Sequence, residues 1–376
     1  MADRSKNLFK LSILCLLVML ATLAFLLIYP LLVPGKHALD EQIFLDNAKK
    51  PLDGFLVNGN AASLYPFTDD TVLQLSTDSV EYLNMQGQSN KTVKVNLAKP
   101  QLVSNKNFAA VYDLGGQNYY LFDRYGLVYK AKAKASIQSV RLANDGHLAL
   151  IMQPDKSKGS LRLMNPDGKH LLDYDIKDRQ NAGYLLSAAF SSDASYLDLS
   201  LLNTDSVKLY PLITRFSLKT LKVLVNYQID YNGALPLILQ SNANSMILLS
   251  ESDVYHLVDQ QFTRWFSIAE LKEAREVLHG IAILAAKTFQ ANLKLYYVDL
   301  TDSEPTESNS IELGTNPDSL ICSRTHAAVI DGQQVYRVNM STMRSEKFQL
   351  SSKIVRIALD SQNRLIIVTD NKVIRV

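Results

Sequence analysis

An apolar strand-like stretch ending at an acidic or amide turn returns along this chain about every 40 residues, and no other feature restricts the fold so strongly. The clearest copy is YYLFDRYGLVYKA, from Tyr119 to Ala131, in which Phe122 is the last apolar residue before a turn at Asp123. Equivalent marks are Leu83 before Asn84, Met164 before Asn165, Phe216 before Ser217, Val258 before Asp259, Val298 before Asp299, Val338 before Asn339, and the terminal Val376. Their spacings are 39, 42, 52, 42, 40, 40 and 38 residues.

A second apolar strand precedes every mark: residues 72–76, 108–112, 148–152, 196–202, 246–250, 281–285, 327–330 and 365–368. These mix continuous apolar runs with alternation, the pattern of central strands packed on both faces. Small polar clusters come before them, among them SNKN at 104, ANDG at 143, SSDAS at 191 and DSQN at 360, and such residues favour tight turns. Each unit therefore reads as four antiparallel strands, the size of one blade of a β-propeller. The last unit stops after its third strand, so the expected closing strand is Leu52 to Val57, ahead of the first complete unit. The expected fold is an all-β propeller of eight four-stranded blades, preceded by one transmembrane helix. Seven blades is the alternative, because the sixth unit has a weak first strand. Between units five and six, SIAELKEAREVLHG predicts a short surface helix, with a capping box at Ser267 and Glu270 and Gly280 as terminator. The 52-residue spacing predicts an insertion at Asp205 to Leu212, whose Pro211 suits an edge or loop.

Leu11 to Val33 is a run of 23 residues without a charge, long enough as a helix to cross roughly 30 Å of hydrocarbon. No small-x-small cleavage site follows, which argues for an uncleaved anchor over a signal peptide. Arg4, Lys6 and Lys10 precede the span, so the N-terminus is expected in the cytoplasm and the body outside. The chain divides into a cytoplasmic N-terminus (1–10), the helix (11–33), a stalk (34–51) and the ectodomain (52–376). The chain has 39 basic and 37 acidic residues, and three basic and one acidic precede the span, which leaves 36 of each in the body. A neutral body without a basic cluster argues against nucleic acid as a partner.

Candidate chemistry is sparse. Lys130, Lys132 and Lys134 alternate with alanine, a pattern that suits an outer strand protected from edge pairing, with a phosphate surface as the alternative. Asp299, Asp302, Glu304 and Glu307 form an acidic stretch without the glycine and closing glutamate of a calcium loop. His37, His147, His170, His256, His279 and His326 occur singly. Trp265, the sole tryptophan, is expected to pack at a blade edge, with a partner anchor as the other reading. Cys15 sits within the apolar run and Cys322 far along the chain, so a bridge between them is not expected. No nucleophile elbow, dinucleotide fingerprint or phosphate loop occurs. No catalytic, cofactor-binding or metal-binding residue is assigned. The expected role is a binding or scaffolding module for a protein, peptide or glycan, attached to the membrane and meeting another envelope or membrane protein. The alternative is an extracytoplasmic hydrolase or oxidoreductase with its site in the central funnel.

The repeat resembles the WD40-like and quinoprotein-like propellers as architecture over residues 52–376, without the W-D dipeptides of the first or the tryptophan per blade of the second. The whole layout, with units such as LFDRYGLVYKAKAKASIQSVRLANDG, resembles an uncharacterised family, a domain of unknown function, of membrane-anchored proteins from Gram-positive, clostridia-like bacteria. That resemblance implies the fold and the membrane anchor and transfers no catalytic residue.

Overall fold

The computed structural model describes residues 41–44 and 53–376, apart from 155–156, 178–182, 206, 240–244, 300–309 and 315–316. The described residues form eight sheets, each built on four antiparallel strands, which follow in chain order in seven of them. Blades 1 to 7 span 64–94, 100–132, 136–177, 184–228, 237–267, 270–312 and 317–349, and blade 8 joins 354–375 to Gly54–Leu56. First strands of neighbouring blades approach one another, which places them around the centre of the ring. All eight marks lie at the last or last-but-one residue of a third strand or follow it directly, and the eight apolar runs upstream form the second strands.

The apolar residues of those second and third strands explain the count. They sort into eight buried clusters, one for each pair of adjacent blades, including the pair that joins blade 8 to blade 1. On the second strand of blade 6, Ile281, Ile283 and Ala285 face blade 5, whereas Ala282 and Leu284 face blade 7. Both faces are dry, so the strand carries an uninterrupted apolar run. The acidic and amide turn residues cap the third strand: Asp123 Oδ1 accepts from the backbone N–H of Tyr125 (2.7 Å) and Gly126 (2.9 Å). Asn84, Asn165 and Asn339 make the same kind of bond.

Ring closure follows the expected route. Gly54–Leu56 pairs antiparallel with Lys372–Arg375 as the outer strand of blade 8. Arg375 fastens the seam, with Nε 2.5 Å from Asp53 and Nη1 2.9 Å from Asp70 and 2.7 Å from the Asp69 carbonyl. Glu41–Phe44, within the segment read as a stalk, adds a parallel fifth strand outside Ser345–Gln349 of blade 7. The apolar run 11–33 lies outside the described residues, and among those described no helix is long and apolar enough to cross a membrane.

Two sequence expectations are corrected. Glu270–Val277 is the first strand of blade 6, not a helix. Pairing with Gly280–Ala286 buries Ala274 and Val277 in the clusters on either side, and this outweighs the local helix signal. Gly280 opens the next strand, where a Cβ would lie 2.3 Å from the Val298 carbonyl oxygen. Pro211 lies inside Tyr210–Ser217, the third strand of blade 4, opposite Leu202. It is tolerated as the second residue of the strand because pairing with the outer strand starts only at Leu212.

Blade 3 carries an acid-sensitive tie. Arg162 grips Asp173 with two bonds (2.9 and 3.0 Å) and donates to the Lys132 carbonyl of blade 2 (3.2 Å). The Arg162 bonds, helped by His170 and Lys134, hold Asp173 down at about 2. A depressed carboxylate stabilises the fold above its unfolded value near 4, and that contribution is lost as pH falls toward 2. Asp173→Asn is expected to cost about 1–2 kcal/mol at pH 7 and to flatten the stability profile between about pH 4 and 2, as measured by urea unfolding.

Candidate functional site

One face of the ring collects the turns between first and second strands and those between third and fourth. The inner turns bond from blade to blade. Asn105 Nδ2 reaches the Ala143 carbonyl (2.9 Å), and Asn144 Nδ2 reaches that of Ser192 (3.2 Å). Leu278 N–H donates to the Arg324 carbonyl (2.7 Å), Ser323 Oγ to Asn363 (2.6 Å), and Ser361 N–H to Asp69 (2.8 Å). Burial opposes the charge of Asp69, but the Ser361 bonds prevail and hold the carboxyl below its usual range. These polar turn residues are therefore occupied in holding the ring.

Where blades 8, 1 and 2 meet, this face opens into a cavity of about 500 Å³. Asp69 and Asp70 form one wall, Ser361 another, and Lys106, Arg124 and Tyr125 the rim. Tyr125 is 76% exposed at the tip of the Asp123 turn. Its backbone is fixed by Lys91, whose Nζ donates to the Tyr125 carbonyl (2.6 Å). An exposed ring beside two cations suits a polypeptide surface, since Tyr and Arg are enriched where interfaces gain most of their energy.

The funnel is lined by the first strands. In blades 3, 4, 6, 7 and 8 the pairing of first with second strand shifts by one residue, and the residue after the shift is Ser139, Ser187, Glu273, Ser319 or Arg356. Three of these bond to the next blade: Ser187 to the Pro236 carbonyl (2.5 Å), Glu273 to Leu320 N–H (2.6 Å) and Arg356 to the Leu64 carbonyl (3.1 Å). Two residues further on, Arg141 and Arg275 occupy the same position in blades 3 and 6. Burial holds Arg141 below the usual arginine range; Tyr112 works against this and the Arg275 charge adds to it. Blades 3 and 6 are not neighbours, so this repulsion acts across the funnel. Arg141 Nε donates to the Ala188 carbonyl (3.0 Å), and Arg275 is paired with Glu273.

The residues weighed in the sequence stay apart. Lys130 and Lys132 lie on the outer strand of blade 2, whereas Lys134 lies beyond it, 2.7 Å from Asp175 of blade 3. His147 bonds to Asp145, His170 to Asp173, and His256 packs edge-on against Trp265 at 4.4 Å. Trp265 packs against the cluster between blades 5 and 6, on an outer strand followed by another strand instead of the expected helix. Asp299 ends a third strand, while Asp302, Glu304, Glu307, Cys15 and His37 lie outside the described residues. Among the described residues no three His, Cys, Asp or Glu side chains converge as metal ligands. Sequence reading missed Arg141 and Arg275, because their shared position on the first strands depends on the pairing shifts. It also passed over Asp198 and Arg215, although a charge inside each of the apolar runs YLDLSLL and LITRF was a usable signal.

A ring of eight antiparallel four-stranded blades, its ends joined by strand pairing, is a β-propeller. The chain belongs to the Family of unknown function (DUF5711), whose profile matches residues 57–376. Comparison with curated proteins gives no match. Among solved structures, the chain is similar to BamB from Moraxella catarrhalis, with TM-score 0.55, 11% identity and coverage of 87% of this chain and 100% of that one. It is also similar to Chaetomium thermophilum Sqt1 bound to the N-terminus of the ribosomal protein L10 (0.54, 10% identity, 87% and 99% covered). Apo AztD from Citrobacter koseri gives 0.51 at 11% identity, with 77% and 87% covered. At these identities the likeness is one of fold.

Proposed function

We propose that this protein is a membrane-anchored, extracytoplasmic binding module of the bacterial envelope, whose turn face holds a protein or peptide partner. The observation that carries the reading is the cavity at blades 8, 1 and 2 with Tyr125, Arg124 and Lys106 on its rim. The uncharged run 11–33, with basic residues before it, supplies the anchor and the orientation. The similar propeller bound to the N-terminus of a ribosomal protein supports the use of such a ring to hold a polypeptide.

The test is a photocrosslinking residue placed at Tyr125 in living cells, with one at Val207, on a loop of the opposite face, as control. A discrete protein adduct is expected from position 125 and not from 207. It should disappear when Lys106 and Arg124 are both changed to Glu. No adduct, or equal adducts from the two faces, would overturn the reading.

A further inference from the structure

A second opening on the turn face, about 530 Å³, lies between blades 7 and 8. Its lining includes His326, Arg337, Asn339, Thr342, Arg344 and Arg364. Two of the three arginines are tied to carboxylates: Arg337 Nε to Glu346 (2.6 Å) and Arg364 Nε to Asp360 (2.7 Å). Arg337 is fully committed, because it also donates to the Asn363 carbonyl (3.1 Å) and lies over the Phe348 ring. Arg364 uses only Nε, which leaves both terminal nitrogens without a partner among the described residues. The Arg344 side chain has no partner there at all; only its backbone is bonded, the N–H donating to Thr342 Oγ1 (3.4 Å) and the carbonyl accepting from Asn339 N–H (2.9 Å). The opening therefore holds three guanidinium groups against one carboxylate of its own, Glu346, and both Glu346 and the neighbouring Asp360 are already engaged.

We propose that this opening between blades 7 and 8 is a binding site for a phosphate-type oxyanion, held chiefly by Arg344 and the free end of Arg364. A planar guanidinium fork matches two oxygens of a phosphate, and such charge-assisted bonds are about twice as strong as neutral ones. Thr342 and Asn339, in the loop that carries Arg344, supply further short polar groups. His326 stands at the wall with Nδ1 2.9 Å from Thr325 Oγ1. Burial and the Arg337 charge depress its basicity, so it offers a neutral ring to the site.

The anion has two sources, a free phosphate and a lipid headgroup. The headgroup arm rests on the membrane-anchored reading. Glu41 pairs in register with Glu346, a residue of this opening, and the strand runs away from it toward Phe44. The chain thus joins the ring beside the opening. Only seven residues, 34–40, separate Glu41 from the end of the apolar run, a reach of at most about 25 Å.

The full-length protein in a neutral detergent tests this by calorimetry, with sodium chloride holding ionic strength constant. The probes are inorganic phosphate, short-chain phosphatidylglycerol and, as a zwitterionic control, short-chain phosphatidylcholine. Saturable binding is expected for the first or second probe. Arg344→Gln should weaken it by at least about tenfold, the loss of one bond to a charged group. Lys219→Gln, on the exposed turn between the third and fourth strands of blade 4, should leave it unchanged. The Arg344 side chain is exposed and makes no hydrogen bond or ion pair among the described residues, so its replacement leaves the fold intact. Tighter binding of phosphatidylglycerol than of phosphate assigns the site to a headgroup, and the reverse assigns it to free phosphate. The phosphate arm is independent of membrane topology, so the site can stand even if the anchor reading falls. The proposal is overturned if neither probe saturates at millimolar concentration, or if Arg344→Gln binds as the wild type does.

Discussion

Arg215→Ala is expected to destabilise the protein by about 3–5 kcal/mol, the usual cost of stripping one partner from a buried ion pair. Arg215 and Asp198 are directly opposed on the third and second strands of blade 4. Both are essentially inaccessible, at 1% and 0% exposure. Arg215 Nε lies 2.7 Å from Asp198 Oδ1 and Nη2 lies 3.0 Å from Oδ2, a two-pronged contact. The guanidinium also lies 5.0 Å from the centre of the Tyr196 ring. Truncating the arginine leaves a carboxylate in an apolar blade, where water cannot replace the lost bonds. Asp198→Leu combined with Arg215→Met removes both charges and should recover a large part of that loss. Urea unfolding of Asp198→Leu, of Arg215→Met and of the double variant measures the coupling. Additive losses in the double variant would show that the pair is not the source of the effect.

Gly54→Ala should be nearly as damaging, although it adds a single methyl group. Gly54 has φ +155°, and a Cβ there would lie 2.0 Å from the Val373 carbonyl oxygen, a backbone atom that cannot move aside. The residue begins the three-residue strand that closes the ring, opposite Ile374. Shifting it pulls Phe55 from the cluster between blades 8 and 1 and loosens the Arg375 contacts to Asp53 and Asp70. Exposing one such aromatic side chain, with the added backbone strain, gives an expected cost of about 2–4 kcal/mol. Hydrogen exchange should report it locally. The amides of Val57, which donates to the Asn371 carbonyl, and of Arg375, which donates to that of Asp53, should lose protection before those of blades 3 and 4. Uniform loss of protection around the ring would mean that closure is not the weak joint.

The legible part of this chain was the part in which one physical demand repeats. Each second strand must be apolar on both faces, and each third strand must end in a side chain that can cap a tight turn, so Phe122 and Asp123 recur as recognisable pairs. The truncated last unit foretold closure by the strand around Phe55 for the same reason. Glu270–Val277 misled because its charges and alanine obey local helix rules, whereas its structure is set by pairing with a strand that starts at Gly280. Glu41–Phe44 carries no pattern that announces a parallel strand on blade 7, since only a long-range backbone match selects it. The candidate sites were less legible still. Tyr125, Lys106 and Asp69 belong to three different turns, and Arg344 and Arg364 to two, and only the ring brings them together.

The proposed function requires that residues 11–33 sit in a membrane and that the ring be displayed outside it. Val207 is fully exposed on a loop, so Val207→Cys supplies an accessible thiol. The native thiols give little background: burial pushes the Cys322 thiol up, and Cys15 lies within the apolar run. Labelling with a membrane-impermeant maleimide is the direct measurement. The prediction is that the Val207→Cys protein in intact cells is labelled as fully as in permeabilised ones, and stays with the membrane fraction after a high-salt wash. Labelling that appears only after permeabilisation would place the ring on the inner side and contradict the account.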